Sequence, residues 1–204
     1  MLLENGWQYL CEGDWAWIYL APDTRSIARI CTFDPAYRLY LNCCIEHASE
    51  LHLPTIELLH DMPHGSYVAT MERYHPYANA EEATELCNLL ASDDSPDLPE
   101  HLAQLQATLS TLHNKAAKNL FQFGKFDLRP DHIMVDKLGE FVVLDPIFVD
   151  GRKLLKSMHK DLQSVIQHYS IDELLNFLKI AAMAKDPDDP VINALRRELL
   201  NFGI

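Results

Sequence analysis

The sequence predicts an α+β fold with a small, strand-rich first part and a helical second part. β-prone runs bounded by Gly, Asp and Pro recur through residues 7–73, a pattern typical of successive hairpins. Residues 100–118 instead carry apolar side chains three and four positions apart, the spacing of a helix with one buried face. With 204 residues, the chain is long enough for a single domain whose two lobes, 1–73 and 74–204, share a cleft.

Composition and charge narrow the class of partner. The formal net charge is −13 and Lys and Arg form no cluster, so we expect no nucleic-acid-binding surface and favour a basic partner. An acidic DNA mimic would carry similar charge, but here the acidic residues are scattered between apolar runs. No apolar run approaches the ~20 residues of a membrane span and the N-terminus lacks a secretion signal, so we expect no membrane contact and a cytoplasmic location.

Residues 125–151 contain the most informative pattern in the chain. Two short apolar runs, 133–135 and 141–144, flank a Gly-containing turn and predict a small β-hairpin. Asp127 precedes the first strand and Asp145 closes the second, so folding the hairpin brings two carboxylates toward one end. Carboxylates that converge in this way can hold a metal ion, accept a proton, or do both.

The same stretch resembles a known family. Residues 127–134, Asp-Leu-Arg-Pro-Asp-His-Ile-Met, resemble the catalytic loop of protein kinases, and residues 143–145, Val-Leu-Asp, resemble the strand that ends in their metal-binding Asp. Within that superfamily the chain is most similar to the small early-gene Ser/Thr protein kinases of short-tailed phages, in which Asp-Pro also replaces Asp-Phe-Gly. The resemblance implies a two-lobed kinase-like fold, ATP with Mg²⁺ or Mn²⁺ as cofactors, and a host protein, in the host cytoplasm, as substrate.

The resemblance also implies roles for the residues around the two carboxylates. Asp127 would orient or deprotonate the substrate hydroxyl, while Asp145 would hold a Mg²⁺ ion that bridges the ATP phosphates. Arg129 would lie near the incoming γ-phosphate. His132 occupies the position of a second metal-binding Asn, although Mg²⁺ prefers oxygen ligands to imidazole.

Two residues of the first part are candidates for contact with the nucleotide phosphates. Residues 7–20 predict a hairpin whose turn contains Gly13, and by resemblance this turn covers the nucleotide, although the family usually has two or three glycines there. The next strand, 26–33, places Arg29 where the family has a phosphate-binding Lys. Arg keeps the charge, but its planar fork is not equivalent to a point-charge ammonium.

A helix predicted over residues 35–51 follows this strand, with Asp34 as its N-cap. By resemblance, the helix supplies a carboxylate that pairs with the strand cation, Arg29. Glu46 is the first candidate for that carboxylate, and Glu50, one turn later, is the second.

A second hairpin, predicted over residues 55–71, leads into a polar stretch at 72–77 that contains a Pro. By resemblance this stretch is the hinge between the two lobes. Met71, Glu72 and Tyr74 are then the residues expected beside the adenine.

Helices are predicted over much of the remaining chain, at 81–90, 100–118, 152–169, 172–184 and 191–200. In the helix predicted over residues 152–169, Asp161 resembles the buried Asp that anchors the catalytic loop in protein kinases. No segment after Asp145 resembles the Ala-Pro-Glu motif, so the resemblance implies a truncated helical lobe that lacks an activation segment. Any activity is then expected to be constitutive or controlled by a partner.

Arg29 and His132 depart from the family pattern and leave three functions open. The first is a phage-type Ser/Thr protein kinase that acts on host proteins. The second is a pseudokinase, an acidic binding module that blocks or recruits a basic host protein. The third is a small-molecule phosphotransferase related to aminoglycoside kinases, or an AMP transferase on the same fold, although the chain lacks the His that aminoglycoside kinases carry shortly before the position of Asp127.

Overall fold

The computed structural model describes residues 2–92, 98–180 and 189–202. Its first part is a five-stranded antiparallel sheet with the strand order β1-β2-β3-β5-β4. These strands are β1 Gln8–Glu12, β2 Ala16–Leu20, β3 Ser26–Cys31, β4 Ile56–Asp61 and β5 Tyr67–Glu72. Both hairpins predicted within residues 7–73 are therefore confirmed.

Helix α1, Pro35–Glu46, packs against this sheet and begins as predicted. The Asp34 carboxylate accepts a hydrogen bond from the Tyr37 N–H at 3.0 Å, and Pro35 supplies a backbone already suited to the first helical position. The helix ends at Glu46 rather than at residue 51, because His47 leaves the helical conformation. The chain then turns so that the His52 carbonyl accepts a hydrogen bond from the Val143 N–H.

The second part of the described chain combines helices with short strands. The helices are α2 Ala80–Ala91, α3 Glu100–Asn119, α4 Gly151–Lys160, α5 Leu162–Val165, α6 Ile171–Phe177 and α7 Pro190–Phe202. The strands are β6 His75–Pro76, β7 Phe123–Phe126, β8 Ile133–Val135, β9 Phe141–Val143 and β10 Ile147–Val149. They form a three-stranded sheet, β6-β8-β9, and a two-stranded sheet, β7-β10. Within the described residues, no helix is both long and apolar enough to cross a membrane.

These elements confirm the predicted α+β fold class and refine several boundaries. The predicted hairpin is present as β8 and β9, with Ile133 opposite Val143. The helix predicted over 152–169 is divided at Asp161, which ends α4 and caps α5 through the Ser164 N–H, and its side chain is exposed rather than buried as predicted. Helix α6 ends at Phe177, and residues 181–184 of the helix predicted there lie outside the described residues.

Two groups of contacts join the sheet to the helical part. The His64 ring, in the turn between β4 and β5, lies 2.8 Å from the Asp172 carboxylate, and the Asn176 amide donates to the His64 carbonyl at 2.8 Å. Trp15, in the turn between β1 and β2, stacks on Phe177 of α6. One continuous cluster of buried apolar side chains therefore runs through both parts.

Candidate active site

A cavity of about 550 Å³ lies between the first hairpin and the stretch that contains the two aspartates. The β1–β2 turn, with Gly13 and Trp15, forms one wall of this cavity. The titratable side chains on the other walls come from β3, from the start of α1 and from the loops that follow β7 and β9: Arg29, Asp34, Asp127, Arg129, His132 and Asp145. The cavity thus brings together both aspartates and both arginines that the sequence identified.

Backbone pairing places Asp127 and Asp145 next to each other. Strand β7 pairs with β10, with Phe126 opposite Ile147, and the Asp127 N–H donates to the Pro146 carbonyl at 2.7 Å. Asp127 therefore follows β7 where Asp145 precedes β10. The chain continues from Asp145 through β10 directly into α4, with no longer segment between them.

Asp145 adopts a backbone conformation that is uncommon for a residue with a side chain. Its φ is +54°, in the left-handed region, where a non-Gly residue carries a cost of order 1 kcal/mol or more. Both contacts from Arg29 fall on its Oδ2 atom, from Nη1 at 3.2 Å and Nη2 at 3.1 Å. No described residue donates a hydrogen bond to its Oδ1 atom, which leaves that oxygen available for a ligand.

Arg29 is the best-anchored cation of the cavity. Its Nη2 atom donates to Asp34 at 3.2 Å as well as to Asp145, and the guanidinium carbon lies 3.4 Å from the centre of the Tyr37 ring. Burial by itself would lower the pKa of Arg29, but the neighbouring carboxylates, Asp145 foremost, hold it well above its ordinary value. The guanidinium is therefore a permanent positive charge in the cavity wall.

His132 is fixed by hydrogen bonds on both ring nitrogens. Nδ1 lies 2.7 Å from the Asp127 carbonyl oxygen and Nε2 lies 2.7 Å from Nη2 of Arg129. Because a guanidinium can only donate, Nε2 accepts and Nδ1 carries the proton. The nitrogen that would coordinate a metal is thus covered by Arg129, so the expected role of His132 as a metal ligand requires Arg129 to move.

The structure corrects the predicted partner of Arg29. Glu46 is the last residue of α1, with a side chain that is 59% exposed and lies 3.7 Å from Lys115. It is about 17 Å along the helix from Pro35, where α1 begins beside β3, so it cannot reach Arg29. The second candidate, Glu50, accepts hydrogen bonds from Thr108 instead.

Asp34 takes the place that the prediction gave to Glu46. The sequence identified it only as the N-cap of α1, and that role is confirmed. The signal for its second role is its position five residues after Arg29, where the chain leaves the strand and enters the helix. Burial, followed by the charge of Asp145, raises the pKa of Asp34, while Arg29 and the Tyr37 N–H oppose this shift.

The expected hinge residues lie apart from this cavity. Met71 is buried under Tyr37, and the Tyr74 hydroxyl accepts a hydrogen bond from the backbone of Thr55 at 2.9 Å. Glu72 forms an ion pair with Lys137 at 3.3 Å and borders a separate opening of about 590 Å³. The placement of adenine beside these three residues remains a prediction.

Gly13 borders the cavity. A Cβ atom added to Gly13 would meet no other atom within 4 Å. The turn therefore has room for a side chain at this position, and the packing around it does not require a glycine. The predicted contact of Gly13 with the nucleotide phosphates remains a prediction.

Comparisons with known proteins give matches among solved structures alone. No family model and no curated protein matches the chain. The matching structures include WbdD bound to a kinase inhibitor, at 12% identity and a TM-score of 0.37 over 95% of this chain and 45% of that one. They also include an aminoglycoside 2′-phosphotransferase bound to GDP, at 12% identity and a TM-score of 0.37 over 96% of this chain and 90% of that one.

A further structure of WbdD, described as a bifunctional kinase and methyltransferase, matches at 14% identity and a TM-score of 0.32. It covers 91% of this chain, which spans 42% of that protein. This chain therefore corresponds in length to less than half of the WbdD chains. At these identities and TM-scores the matches carry neither an activity nor a substrate to this chain, and its function has to be argued from the geometry of the cavity.

Proposed function

We propose that this chain is a Mg²⁺-dependent phosphotransferase that transfers the γ-phosphate of ATP to a hydroxyl group, most specifically to Ser or Thr of a basic host protein. The observation that carries the proposal is the convergence of Asp127 and Asp145 on one cavity that also holds Arg29 and Arg129. Phosphoryl transfer depends mainly on positioning and on neutralising phosphate charge, and this set of side chains supplies both.

Asp145 suits the metal. Mg²⁺ is usually bound by one or two carboxylates, keeps several water molecules and completes its shell with substrate phosphates. The Oδ1 atom of Asp145 is free of protein hydrogen bonds among the described residues, whereas Oδ2 is held by Arg29. When bound, the ion would neutralise charge on the phosphates of the nucleotide.

The two arginines suit the phosphates. A guanidinium presents its N–H groups as a fork that matches phosphate oxygens. Arg29 retains one such group, because its Nη1 atom carries two N–H groups and donates among the described residues only to Asp145. Arg129 is more exposed, with contacts to Asp127 at 3.7 Å and to Asp131 at 3.3 Å that a phosphate could replace.

Asp127 suits the acceptor hydroxyl. Its carboxylate is partly exposed toward the cavity, and the closest cation to it is Arg129, at 3.7 Å. A carboxylate in this position can accept the hydroxyl proton as the oxygen attacks. Glu12, at the end of β1, and Asp14, in the turn that follows, add negative charge to the cavity wall, which favours an acceptor on a basic protein surface.

A second candidate function is a non-catalytic, acidic binding module. Two contacts favour it, since Arg29 already donates to two carboxylates and Arg129 covers the free nitrogen of His132. A module of this kind would bind a basic host protein through its negative net charge, formally −13, and would have no need of Mg-ATP. Stabilisation by the nucleotide therefore separates the two functions.

The test measures transfer of label from γ-labelled ATP, with Mg²⁺ or Mn²⁺, to the protein itself, to a basic model protein and to a host lysate. Asp127→Asn and Asp145→Asn preserve side-chain size, and Asp61→Asn, at a surface ion pair with Arg38, is the matched control. We expect label with wild type and the control and at least a ~100-fold loss in both site variants. Absence of label together with no thermal stabilisation by Mg-ATP would reject the phosphotransferase and favour the binding module.

Two additions to this assay identify the transferred group and the acceptor. ATP labelled at the α-phosphate reports AMP transfer, because that label reaches the acceptor only if the nucleotide is transferred. A panel of aminoglycosides reports a small-molecule acceptor. Label from the α-position, or transfer to an antibiotic in preference to protein, would replace the proposed protein kinase reaction with the corresponding one.

A further inference from the structure

Arg29, the buried cation of the cavity wall, is oriented by a residue that the family resemblance does not identify. We infer that Asp34 is the positioning residue of the site, which holds the Arg29 guanidinium in place toward Asp145. This assignment concerns the same site as the proposed function, and its kinetic consequences rest on that function. The contact itself can be tested without it.

The contacts of Arg29 fix both the edge and the face of its guanidinium. Its Nη2 atom bridges the two acids, at 3.2 Å from Asp34 and 3.1 Å from Asp145, while Nη1 contacts Asp145 at 3.2 Å. Tyr37 lies against the face of the group, 3.4 Å from its central carbon to the ring centre. A planar cation held at its edge by two carboxylates and on its face by a ring has little freedom to rotate.

Asp34 is itself held in place, and each of its two carboxylate oxygens has its own hydrogen-bond donor. Its Oδ1 atom accepts from the Tyr37 N–H at 3.0 Å, and its Oδ2 atom accepts from Arg29. Its carbonyl accepts from the Tyr67 hydroxyl at 2.9 Å and from the Arg38 N–H at 3.0 Å. The residue is only 8% exposed, so the site cation is anchored on a rigid support at the start of α1.

The two acids that hold Arg29 differ in how far along the chain they lie from it. Asp34 is five residues from Arg29, within the same strand-to-helix connection, whereas Asp145 is 116 residues away. A contact across a short connection costs little loop entropy and persists when distant parts of the chain separate. The Arg29–Asp34 pair is therefore set within the first part of the fold, and the Arg29–Asp145 contact is the one that depends on how the two parts meet.

The test uses substitutions that separate the charge of Asp34 from its capping role. Asn and Ser at this position still cap a helix, but neither provides an anion for Arg29. With the full chain and varied Mg-ATP, we expect Asp34→Asn and Asp34→Ser to raise the KM for ATP about tenfold while kcat changes less than about threefold. Asp34→Glu, which keeps the charge, should recover part of the affinity, and Asp61→Asn, the control carboxylate beside α1, should leave KM unchanged.

This pattern distinguishes positioning from a merely structural role. Loss of folded protein would lower kcat through the active fraction and leave KM as it is. A fall in kcat at unchanged KM in Asp34→Asn, or equal effects of Asp34→Asn and Asp61→Asn, would overturn the assignment.

A second measurement decides the assignment even if wild type transfers no phosphate. In a double-mutant cycle of Asp34→Asn and Arg29→Gln, followed by urea unfolding, we expect the two substitutions to be coupled by roughly a fivefold change in the unfolding equilibrium constant. Additive effects would show that Asp34 does not hold Arg29. Inactivity of wild type with coupling intact would reject the proposed function and leave the assignment standing.

Discussion

Trp15 and Phe177 stack across the two parts of the molecule, with ring centroids 5.9 Å apart and planes inclined by 29°. Trp15 lies in the turn that covers the cavity, and Phe177 is a fully buried residue of α6. Phe33, two residues beyond the end of β3, packs against both rings, with centroids 5.8 Å from Trp15 and 5.4 Å from Phe177. The cavity wall is therefore fastened to the helical part by aromatic packing.

Replacing Trp15 with Ala should lower the free energy of unfolding by about 1–3 kcal/mol, because the substitution removes two ring contacts and leaves Phe33 and Phe177 underpacked. The matched control is Trp17→Ala, two residues along β2, whose side chain is 37% exposed and lies outside this ring cluster. Urea unfolding followed by circular dichroism measures both. Equal destabilisation by the two substitutions would mean that the stack with Phe177 contributes nothing of its own.

Gly65 provides a second test of the contact between the sheet and α6. Its φ is +74°, and a Cβ atom placed there would overlap the Glu173 side chain. Gly65→Ala should therefore destabilise the protein by about 1–3 kcal/mol, through backbone strain and through displacement of Glu173.

Gly13 supplies the control for that measurement, since an added Cβ there meets open space. Gly13→Ala should change the free energy of unfolding by less than about 1 kcal/mol. Thermal or urea unfolding of the two variants in parallel gives the comparison. If Gly13→Ala were the more destabilising of the two, the close approach of the β4–β5 turn to α6 would be wrong.

The sequence was sufficient to predict the convergence of Asp127 and Asp145. Two short apolar runs on either side of a Gly-containing turn predicted β8 and β9, and the residues that flank such a hairpin must lie near its ends. The N-cap role of Asp34 was predictable for the same reason, because it depends on residues three positions apart. Features that depend on local spacing could thus be read from the chain.

The partner of Arg29 could not be predicted in this way. It depends on the place where α1 begins relative to β3, and a shift of a few residues in that boundary decides whether Asp34 or a residue inside the helix faces the guanidinium. The stack of Trp15 on Phe177 is also a consequence of how distant elements pack, for which the sequence carries no periodic signal. The pairing of Arg29 with Asp34 rather than with Glu46 is therefore set by tertiary packing and not by the sequence motif.

His52 should make the stability of the protein depend on pH. The residue is buried, its Nδ1 atom lies 2.8 Å from the Phe141 carbonyl, and its Nε2 atom is buried without a partner among the described residues. Burial lowers the pKa of His52. The hydrogen bond with the Phe141 carbonyl raises this pKa, but its effect is smaller. Because the folded state disfavours the proton, the full stability is present above the unfolded pKa of ~6.5, and it is lost as the pH falls from that value through the lower folded pKa of His52.

His52→Asn is the appropriate substitution, since Asn tolerates the φ of +72° at this position and its amide can still donate to the Phe141 carbonyl. Urea unfolding at pH about 7.5 and about 5.5 should show a smaller loss of stability on acidification in this variant than in wild type. His75→Asn, at an exposed position of β6, should keep the slope of wild type. Identical slopes in wild type and His52→Asn would exclude the buried imidazole as a source of acid sensitivity.

The final prediction concerns Glu46, where the family pattern and the structure disagree. If Glu46 paired with Arg29, its neutralisation would leave a buried cation without its partner and would cost several kcal/mol. The structure instead gives it a surface contact with Lys115 at 3.7 Å, and such pairs contribute little because water and salt screen them. Glu46→Gln should therefore change the free energy of unfolding by no more than ~0.5 kcal/mol and leave the KM for ATP unaltered. A loss of nucleotide affinity comparable to that of Asp34→Asn would instead show that Glu46 is the partner of Arg29.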